Sequence, residues 1–451
     1  MLVAASLTVG CGDDGQSGDR YADFGDDVDV LGDGPEGSSS GSSSEGGETG
    51  PKLDAGTSTG ETAGGCADGG GNGGGGEIEF SNIWIANSPD GTISKIDTLT
   101  ATEIGRYQVT PQPKYNVLVG PSRTSVSLYG DMAVADRSGG LAKIHARQED
   151  CVDANNNGQI ETSTDANPLP YGQDECLAWR IDIPRMPGVY DDRRGPRAVQ
   201  WTLPDGLETC DFTGAKVWVA FCNEQNNDAT VWLVDGDTGV VDVEIPIPGM
   251  MCEMMGPYGG GVDIHSNFWF VENDTRKALY MAKYGCEPGP GEDCWEVFDR
   301  PDPDMDPYGI TVDGADRIWI AGTSGGTARF DPANAGWSVL PGVTGLGLQE
   351  DGEGRMWIAA YPWDTQRGVY GIDSDTVTQI DFIDMTPYAP ESRGISIDFE
   401  GNVWMVDQTS SAYRIDPLTK QFQVYSGLNA PYTYSDMTGW GLKNVTPPAQ
   451  G

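Results

Sequence analysis

Residues 308–322 read YGITVDGADRIWIAG, a segment with the pattern of a strand, a turn and a second strand. Two apolar runs flank the sequence DGAD, and Asp followed by Gly favours a tight turn because Asp hydrogen-bonds to its own backbone. Near copies follow at 345–359 (GLGLQEDGEGRMWIA) and at 394–406 (GISIDFEGNVWMV). The recurrence predicts a repeat architecture, and the period of the repeat identifies which one.

The large apolar residue in the second strand marks each repeat. Seven such residues occur, with spacings of 48, 86, 51, 50, 38 and 47 residues: Trp84, Met132, Trp218, Trp269, Trp319, Trp357 and Trp404. A period of about 40–50 residues built from short strands is typical of a β-propeller with one four-stranded sheet in each blade. The sequence therefore predicts an all-β, seven-bladed β-propeller, with an insertion at 149–178 in the second blade.

The ends of the repeat region predict how the ring closes. The first repeat begins directly at NIWIAN (82–87) and lacks an opening strand, whereas the last apolar segment, MTGWGLKNV (437–445), matches the missing one. We therefore expect a C-terminal strand to complete the first blade, because closure leaves no exposed sheet edge. The propeller would span 77–446, followed by a tail at 447–451.

The N-terminal region has a different composition. Residues 1–11, MLVAASLTVGC, resemble the signal of bacterial lipoproteins, with Cys11 as the lipidated residue. Residues 12–76 are rich in Gly, Ser and Asp, which predicts a disordered tether because so few apolar residues cannot offset the entropy of ordering. We expect an exported protein at the cell surface or outer membrane, attached to the membrane only through its lipid.

The charge of the chain limits its partners. Its 27 basic and 69 acidic residues give a formal net charge of −42, and no stretch is rich in Lys and Arg. This excludes nucleic acid as an expected partner, because phosphate backbones require a basic surface. Such an acidic surface keeps a protein soluble, or it binds divalent cations, and both interpretations remain open.

The nine cysteines are consistent with export. With Cys11 set aside, eight remain, an even number suited to disulfides in an oxidising compartment. We expect Cys151 to pair with Cys176 and Cys286 to pair with Cys294, since each pair brackets a loop. Three pairings remain possible for the other four: Cys66, Cys210, Cys222 and Cys252.

The insertion contains a calcium-binding pattern in CVDANNNGQIETSTD (151–165). Oxygen-bearing side chains alternate before Gly158, as in the first half of an EF-hand-like loop, but the twelfth position is Thr164 and not Glu. Glu161 or Asp165 would have to supply the missing carboxylate. An Asn/Gly-rich turn without an ion is the alternative. We predict a structural Ca²⁺ with the following ligands: Asp153, Asn155, Asn157, Gln159, Glu161 and Asp165.

Three segments resemble a known family: PYGITVDGADRIWIAG (307–322), RGISIDFEGNVWMVD (393–407) and YRIDPLTKQFQVYS (413–426). They are similar to repeats of NHL-type and virginiamycin B lyase-like β-propellers, over about residues 80–445. The resemblance implies a fold with its active site at the top of the central channel. It also implies a lyase that opens a cyclic ester-linked antibiotic, using a His general base and a Mg²⁺ held by glutamates.

The catalytic base of that family has no counterpart here. The resemblance places it in a loop before the first strand of a blade, and none of these loops contains His. His145 ends a strand and His265 lies in a turn at the opposite end, so we expect both to be structural. Tyr258 or Tyr308 could replace the base only if its pKa were strongly lowered.

Polar residues are nevertheless expected at the channel mouth. The residues that end the second strands should face it: Asn87, Asp136, Glu272 and Asp407. The resemblance places Glu272 where the family holds Mg²⁺, so this ring would bind Mg²⁺ or another divalent cation, or else cap turns. Arg197 and Arg393 are predicted on the same face, where they would pair with these acids or recognise an anionic ligand.

Two functions remain. The favoured one is a cell-surface lipoprotein whose top face binds an extracellular ligand, namely a small molecule, glycan, peptide or protein. The alternative is a metal-assisted lyase or hydrolase acting at the channel mouth, which the missing His disfavours. The sequence indicates no particular ligand, catalytic residue or oligomeric state.

Overall fold

A computed structural model of the chain describes residues 81–113, 120–184, 195–205, 213–223, 228–252, 255–274, 276–364 and 366–446. The predicted signal, the predicted lipidation site Cys11, the predicted tether and the predicted tail lie outside these residues. In the part of the chain that is described, no helix is long and apolar enough to cross a membrane.

Seven antiparallel sheets follow one another along the chain, each formed by consecutive strands. The predicted seven-bladed propeller is confirmed. The first three blades contain β1 (Asn82–Asn87), β2 (Thr92–Asp97) and β3 (Thr102–Gln108); β4 (Pro121–Val126), β5 (Met132–Asp136), β6 (Gly140–Ile144) and β7 (Leu177–Asp182); and β8 (Ala198–Trp201), β9 (Lys216–Asn223), β10 (Asp228–Asp235) and β11 (Val241–Met251).

The other four blades have four strands each. They contain β12 (Pro257–Val262), β13 (Phe268–Glu272), β14 (Leu279–Ala282) and β15 (Trp295–Phe298); β16 (Pro307–Val312), β17 (Ile318–Gly322), β18 (Thr327–Asp331) and β19 (Gly336–Leu340); β20 (Gly345–Glu350), β21 (Arg355–Ala360), β22 (Gly368–Asp373) and β23 (Thr378–Asp384); and β24 (Ser392–Ile397), β25 (Val403–Asp407), β26 (Ser411–Ile415) and β27 (Phe422–Tyr425). The first strand of each four-stranded blade lines the central channel, and its start defines the top of the propeller.

Burial explains the sequence of the second strands. Every residue of β1, β5, β13, β17 and β25 is buried, because neighbouring blades cover both faces. Strands covered in this way are continuously apolar. The outermost strand β3 instead alternates between exposed and buried residues, since only one of its faces meets another blade.

One carboxylate fixes both the turn and the tryptophan in four blades. An Asp six residues before the Trp accepts a hydrogen bond from the indole nitrogen in these pairs: Asp263 and Trp269 (2.9 Å), Asp313 and Trp319 (2.8 Å), Asp351 and Trp357 (2.7 Å), and Asp398 and Trp404 (3.0 Å). In Asp313, the carboxylate oxygen that does not bind the indole accepts hydrogen bonds from the backbone N–H groups of Ala315 at 3.0 Å and Arg317 at 2.9 Å. The Asp therefore joins the turn to the packed face of the next strand.

The C-terminal segment closes the first blade, as predicted, but through an earlier part of the chain. We define the closing segment as residues 431–437. Pro431 forms a bridge with Asn87, the Tyr432 amide donates to the Ala86 carbonyl at 3.1 Å, and the Trp84 amide donates to the Met437 carbonyl at 2.9 Å. The closing segment thus takes the place of the missing inner strand.

The strand predicted at 437–445 is wrong. Residues Trp440–Asn444 form the short helix α1 instead. The buried carboxylate of Asp436 accepts hydrogen bonds from the amides of Gly439 (2.9 Å) and Leu442 (3.1 Å), and Gly439 has a φ of +86° that glycine adopts readily. These contacts turn the chain away from the sheet after Met437.

The lower channel is a packed core. The Gln349 side chain accepts from the Ser396 hydroxyl at 2.8 Å and from the Ile397 amide at 2.7 Å, and it donates to Asp436 at 3.2 Å. A cavity of about 10 Å³ beside Gln200 and Ser435 is large enough for roughly one water molecule. Hydrogen-bonded side chains around Gln349 therefore fill this part of the channel.

Three disulfides link described cysteines. Cys151 pairs with Cys176 and Cys286 pairs with Cys294, which confirms both predictions. Cys222 pairs with Cys252, which selects one of the pairings left open by the sequence. Cys66 and Cys210 lie outside the described residues.

The buried Asp of the turn predicts a stability effect. Replacing Asp313 by Ala leaves the Trp319 indole and two backbone amides without their acceptor, so the free energy of unfolding should fall by about 2–4 kcal/mol. The control is Asp331→Ala, which removes the half-buried carboxylate of a turn in the same blade. Urea unfolding measures both variants. Equal losses of stability in the two would contradict the proposed role of Asp313.

Candidate functional site

The upper channel is lined by arginine and tyrosine side chains from the inner strands, from the residues that flank strands, and from the closing segment. In β16 the residue Tyr308 is skipped by the strand pairing, because Pro307 pairs with Gly322 and Gly309 pairs with Ala321. The same irregularity occurs at Arg393 in β24. A β-bulge redirects a side chain, here at the start of two strands. We define the upper-channel cluster by these residues: Arg123, Arg137, Arg197, Arg393, Tyr258, Tyr308, Tyr432 and Tyr434.

The cluster contains every arginine that is buried in the described part of the chain: Arg123, Arg137, Arg197 and Arg393. The guanidinium carbon of Arg123 lies 3.9 Å from the centre of the Tyr434 ring and 4.5 Å from that of Tyr258. Its Nε, Nη1 and Nη2 atoms are buried and have no hydrogen-bond partner among the described residues. Cation–π contact is worth about 2 kcal/mol when desolvated, which is less than the cost of burying an unpaired charge.

The sequence predicted two of these arginines. Arg197 and Arg393 were expected on the top face, and both lie in the upper-channel cluster. Arg197 donates to the Gly195 carbonyl at 3.0 Å, and Arg393 lies 3.6 Å from the Glu391 carboxylate. Arg123 and Arg137 were missed, because Arg123 lies inside β4 and Arg137 follows β5, whereas the prediction used the loops before inner strands and the last residues of second strands.

The four tyrosines form a hydrogen-bonded group centred on one hydroxyl. The Tyr432 hydroxyl lies 2.7 Å from that of Tyr308 and 3.1 Å from that of Tyr258. Tyr308 also donates to the Tyr434 hydroxyl at 3.2 Å. Tyr432 and Tyr434 belong to the closing segment, so the cluster is complete only when the ring is closed.

The surrounding arginines give Tyr432 a lower pKa than Tyr258 and Tyr308 have. Burial would raise the pKa of Tyr432, but the surrounding guanidinium groups outweigh burial and lower that pKa to about 7. Burial raises the pKa of Tyr258 and of Tyr308 well above the ordinary value. Tyr258 and Tyr308 therefore lack the strongly lowered pKa that either would need to act as a base. Of these three tyrosines, Tyr432 is the one whose pKa is lowered.

An aromatic pair connects the cluster to solvent. Tyr361 packs against buried Tyr432 and Tyr434, and its ring centre lies 5.0 Å from that of Trp363. Trp363 is 51% exposed, and the Arg393 guanidinium lies 4.7 Å from its ring centre. We call Tyr361 and Trp363 the mouth pair, because they join the buried cluster to the top surface.

The polar residues that were predicted at the channel mouth form capping hydrogen bonds with neighbouring loops. All four are buried, and each accepts a hydrogen bond from a backbone amide. The acceptors and donors are Asn87 and Asn429 (2.9 Å), Asp136 and Ser138 (2.9 Å), Glu272 and Asp274 (2.9 Å), and Asp407 and Glu391 (2.7 Å). These contacts fit the turn-capping interpretation that the sequence left open.

The acidic residues of the mouth are not gathered into one ligand group. Within the described ranges, three His, Cys, Asp or Glu ligand atoms come together only at Cys286, Glu292 and Cys294, and these cysteines form a disulfide. The described residues therefore contain no preformed group of three acidic ligands around Glu272 and Asp407. A divalent cation bound there stays a prediction.

Both histidines lie away from the cluster. His145 follows β6, which runs downwards from the top, and its Nδ1 lies 3.2 Å from the Asp131 carboxylate. His265 is exposed in the turn between β12 and β13, at the bottom of the blade. Neither histidine is placed to act at the channel mouth.

The insertion brings most of the predicted calcium ligands together. Both oxygens of Asp153 accept backbone hydrogen bonds, from Asn157 at 3.1 Å and from Gly158 at 2.8 Å. The Glu161 carboxylate lies 2.6 Å from Asn155 Nδ2 and 2.8 Å from Asn157 Nδ2. Hydrogen bonds from these two amides lower the pKa of Glu161. Carboxylate and amide groups are the donors that suit a hard cation.

Two further acids lie in the insertion, Asp165 and Glu175. Asp165 accepts from the Asn167 amide at 2.7 Å and so caps its own turn, whereas Glu161 occupies the position beside the asparagines. Glu175 was missed by the sequence argument, because it lies far along the chain beside Cys176. Its carboxylate accepts from the amides of Ala154 and Glu161, both at 2.9 Å.

Fold and site together define the chain as a seven-bladed β-propeller whose upper channel is lined by an arginine–tyrosine cluster. Similar solved structures are also propellers. A streptogramin B lyase is 14% identical, covering 70% of this chain and 86% of its own, with a TM-score of 0.48. Virginiamycin B lyase from Staphylococcus aureus is 13% identical, covering 68% and 85%, with a TM-score of 0.45. BamB from Moraxella catarrhalis is 12% identical, covering 79% and 86%, with a TM-score of 0.41.

Sequence comparison gives no relatives of this kind. No protein-family model matches the chain, and no curated protein matches it.

The lowered pKa of Tyr432 predicts a pH dependence of stability. Between about pH 7 and pH 10 the unfolded chain holds a proton on this residue that the folded chain has released. The stability contributed by Tyr432 should therefore increase as the pH rises through this range, and it is lost as the pH falls through about 7. Thermal unfolding of the wild type and of Tyr432→Phe should diverge in this way.

Tyr370→Phe is the control for this measurement. Burial raises the pKa of Tyr370, which lies outside the upper-channel cluster, so its variant should follow the wild-type dependence between pH 7 and pH 10. Parallel curves for the wild type and Tyr432→Phe would contradict the assignment.

Proposed function

We propose that this protein is a surface-anchored propeller that binds an extracellular ligand at the mouth of its channel. The observation that carries the proposal is the half-exposed Trp363 ring held at the top of the channel. Tryptophan buries a large area on binding and is over-represented where ligands and proteins contact one another. The ligand is a sugar, peptide or protein that stacks on Trp363.

The scaffold supports this role by holding the ring in place. Tyr361 contacts Trp363 on one side, and the Arg393 guanidinium lies 4.7 Å from its ring centre. A contact residue fixed by its neighbours loses little side-chain entropy when a ligand binds. The strands below Trp363 are continuous, so a rigid part of the fold holds the mouth pair in place.

The location of the protein follows from its N-terminal sequence. Cys11 carries the lipid, residues 12–76 form the tether, and the propeller stands at the cell surface or outer membrane. Three disulfides among the described cysteines agree with an oxidising compartment. Metabolic labelling with a fatty acid tests the anchor: labelling that persists after Cys11→Ser would contradict it.

Calcium has a structural role in this proposal. Asp153, Asn155, Asn157 and Glu161 hold the ion, and the backbone carbonyl of Gln159 adds a ligand. The bound ion replaces the present contacts between Glu161 and the two asparagine amides. It rigidifies the insertion in the second blade and takes no part in ligand binding at the mouth.

A lyase or hydrolase acting at the same mouth is the second candidate. The lowered pKa of Tyr432 favours it, because a base with a pKa near 7 suits proton abstraction at neutral pH. Tyr432 is buried, however, and the channel places no histidine beside it. Turnover of a cyclic ester-linked peptide that disappears in Tyr432→Phe would favour this candidate over simple binding.

The proposed binding role predicts the effect of removing the exposed ring. Trp363→Ala should weaken binding to arrayed oligosaccharides or peptides at least tenfold, because the stacking surface is lost. Its thermal unfolding midpoint should stay close to the wild-type value, since the ring is half-exposed. The control is Tyr171→Ala, which removes an exposed ring from the insertion. Binding that survives Trp363→Ala unchanged would refute the proposal.

The proposed calcium site predicts a stability that depends on the ion. Calcium at about one hundred times its dissociation constant should stabilise the full chain by about 2.7 kcal/mol, and a chelator should remove this gain. In Asp153→Ala the response to calcium should disappear. Asp165→Ala is the matched control and should keep the response, because that carboxylate caps only its own turn. A calcium response that persists in Asp153→Ala would exclude this site.

A further inference from the structure

The distribution of positive charge in this acidic protein is uneven. The chain has 27 basic residues against 69 acidic ones, yet all the arginines buried in its described part converge at the top of the channel. Removing a guanidinium from water costs several kcal/mol unless acceptors replace the water. Arg137 and Arg197 donate to backbone carbonyls and Arg393 lies near the Glu391 carboxylate, whereas Arg123 has no acceptor among the described residues.

Arg123 identifies where an external anion would be held. Its guanidinium carbon lies 4.5 Å from the Tyr258 ring centre and 3.9 Å from the Tyr434 ring centre, and aromatic rings do not replace hydrogen-bond acceptors. The three guanidinium nitrogens are buried and have no hydrogen-bond partner in the described residues. Arginine presents its N–H groups as a fork that matches two oxygens of a carboxylate or sulfate.

We propose that the upper-channel cluster is an oxyanion-binding site in which the Arg123 guanidinium is the principal ligand. It receives a carboxylate or a sulfate group, and Arg393 lies between this site and the mouth pair. The inference deepens the proposed function, on which it rests, because it names the charged group carried by the ligand that stacks on Trp363. The ligand would place its ring outside and its acid group in the channel.

Tyr432 supplies the compensating charge when the site is empty. Its hydroxyl lies 2.7 Å from that of Tyr308 and 3.1 Å from that of Tyr258, and the Arg137 guanidinium lies 4.5 Å from its ring centre. The titratable and charged groups that face it from the surrounding elements are Arg123, Arg137, Arg197, Arg393, Glu391, Tyr258, Tyr308 and Tyr434. As a phenolate, Tyr432 is an internal anion that competes with an external one.

Competition between the Tyr432 phenolate and an external anion determines how the affinity for that anion changes with pH. The pKa of Tyr432 lies near 7, so below that pH the residue is neutral and the site is free to accept an oxyanion. Above that pH, binding requires Tyr432 to take up a proton. The affinity for an oxyanion should therefore fall about tenfold for each pH unit above the pKa of Tyr432.

The test measures binding of sodium sulfate and of sodium acetate to the full chain by calorimetry, at about pH 6 and about pH 9. Sulfate presents a tetrahedral oxyanion and acetate a planar carboxylate, so the tighter ligand identifies the source of the charge. Arg123→Met should weaken binding at pH 6 at least tenfold. Tyr432→Phe should bind at pH 6 and should keep the same affinity at pH 9.

Arg276→Met is the matched control. It removes the same charge from the rim, where Arg276 is half-exposed and pairs with Asp299 at 2.8 Å. It should bind the tighter anion as the wild type does. Equal weakening in Arg276→Met and Arg123→Met would overturn the proposal, as would wild-type affinity in Arg123→Met or absence of binding by both anions at pH 6. Tyr432→Phe also tests the site independently, because it keeps all four arginines.

The same measurements separate this inference from the proposed function. Trp363→Ala leaves the buried arginines in place, so it should still bind the small anion that the wild type binds. Anion binding with no effect of Trp363→Ala on larger ligands would contradict only the function proposed for the mouth pair. A larger ligand that requires Trp363 and tolerates Arg123→Met would contradict only the oxyanion site.

Discussion

The buried hydrogen bond between an Asp carboxylate and a Trp indole nitrogen is the constraint on which four of the seven blades depend. Blades four to seven each place the Asp at the end of an inner strand and the Trp six residues later. The carboxylate also accepts from the amides of the turn, so one side chain sets the turn length and the register of the next strand. Since the indole packs between blades, the same contact fixes the spacing of the ring.

That constraint explains why the sequence predicted the architecture so well. An Asp, a short turn and a Trp leave a visible repeat in four blades, and the large apolar residue of the second strand extends the count to seven. The closing segment leaves no such trace. Residues 437–445 have an apolar pattern that resembles a strand, but the buried Asp436 carboxylate and the left-handed Gly439 produce a helix there. Local pattern could not reveal these contacts.

The site was less predictable than the fold for a physical reason. Arg197 and Arg393 were expected at the mouth because they precede or begin inner strands. Arg123 and Tyr432 become neighbours only when widely separated segments meet around the channel, and their mutual influence is electrostatic. A carboxylate at a strand end, such as Glu272, was predicted from its sequence position to be a metal ligand. In the structure its oxygens accept hydrogen bonds from backbone amides instead.

The closing segment has a consequence for the order in which the protein matures. Tyr432 and Tyr434 lie within the last twentieth of the chain, whereas Arg123 and Arg137 belong to the second blade. A polypeptide that emerges from its N-terminus holds the arginines long before it acquires the tyrosines. The upper-channel cluster is therefore the last feature that the growing chain completes, and a chain that ends before Pro431 lacks two of the four tyrosines of that cluster.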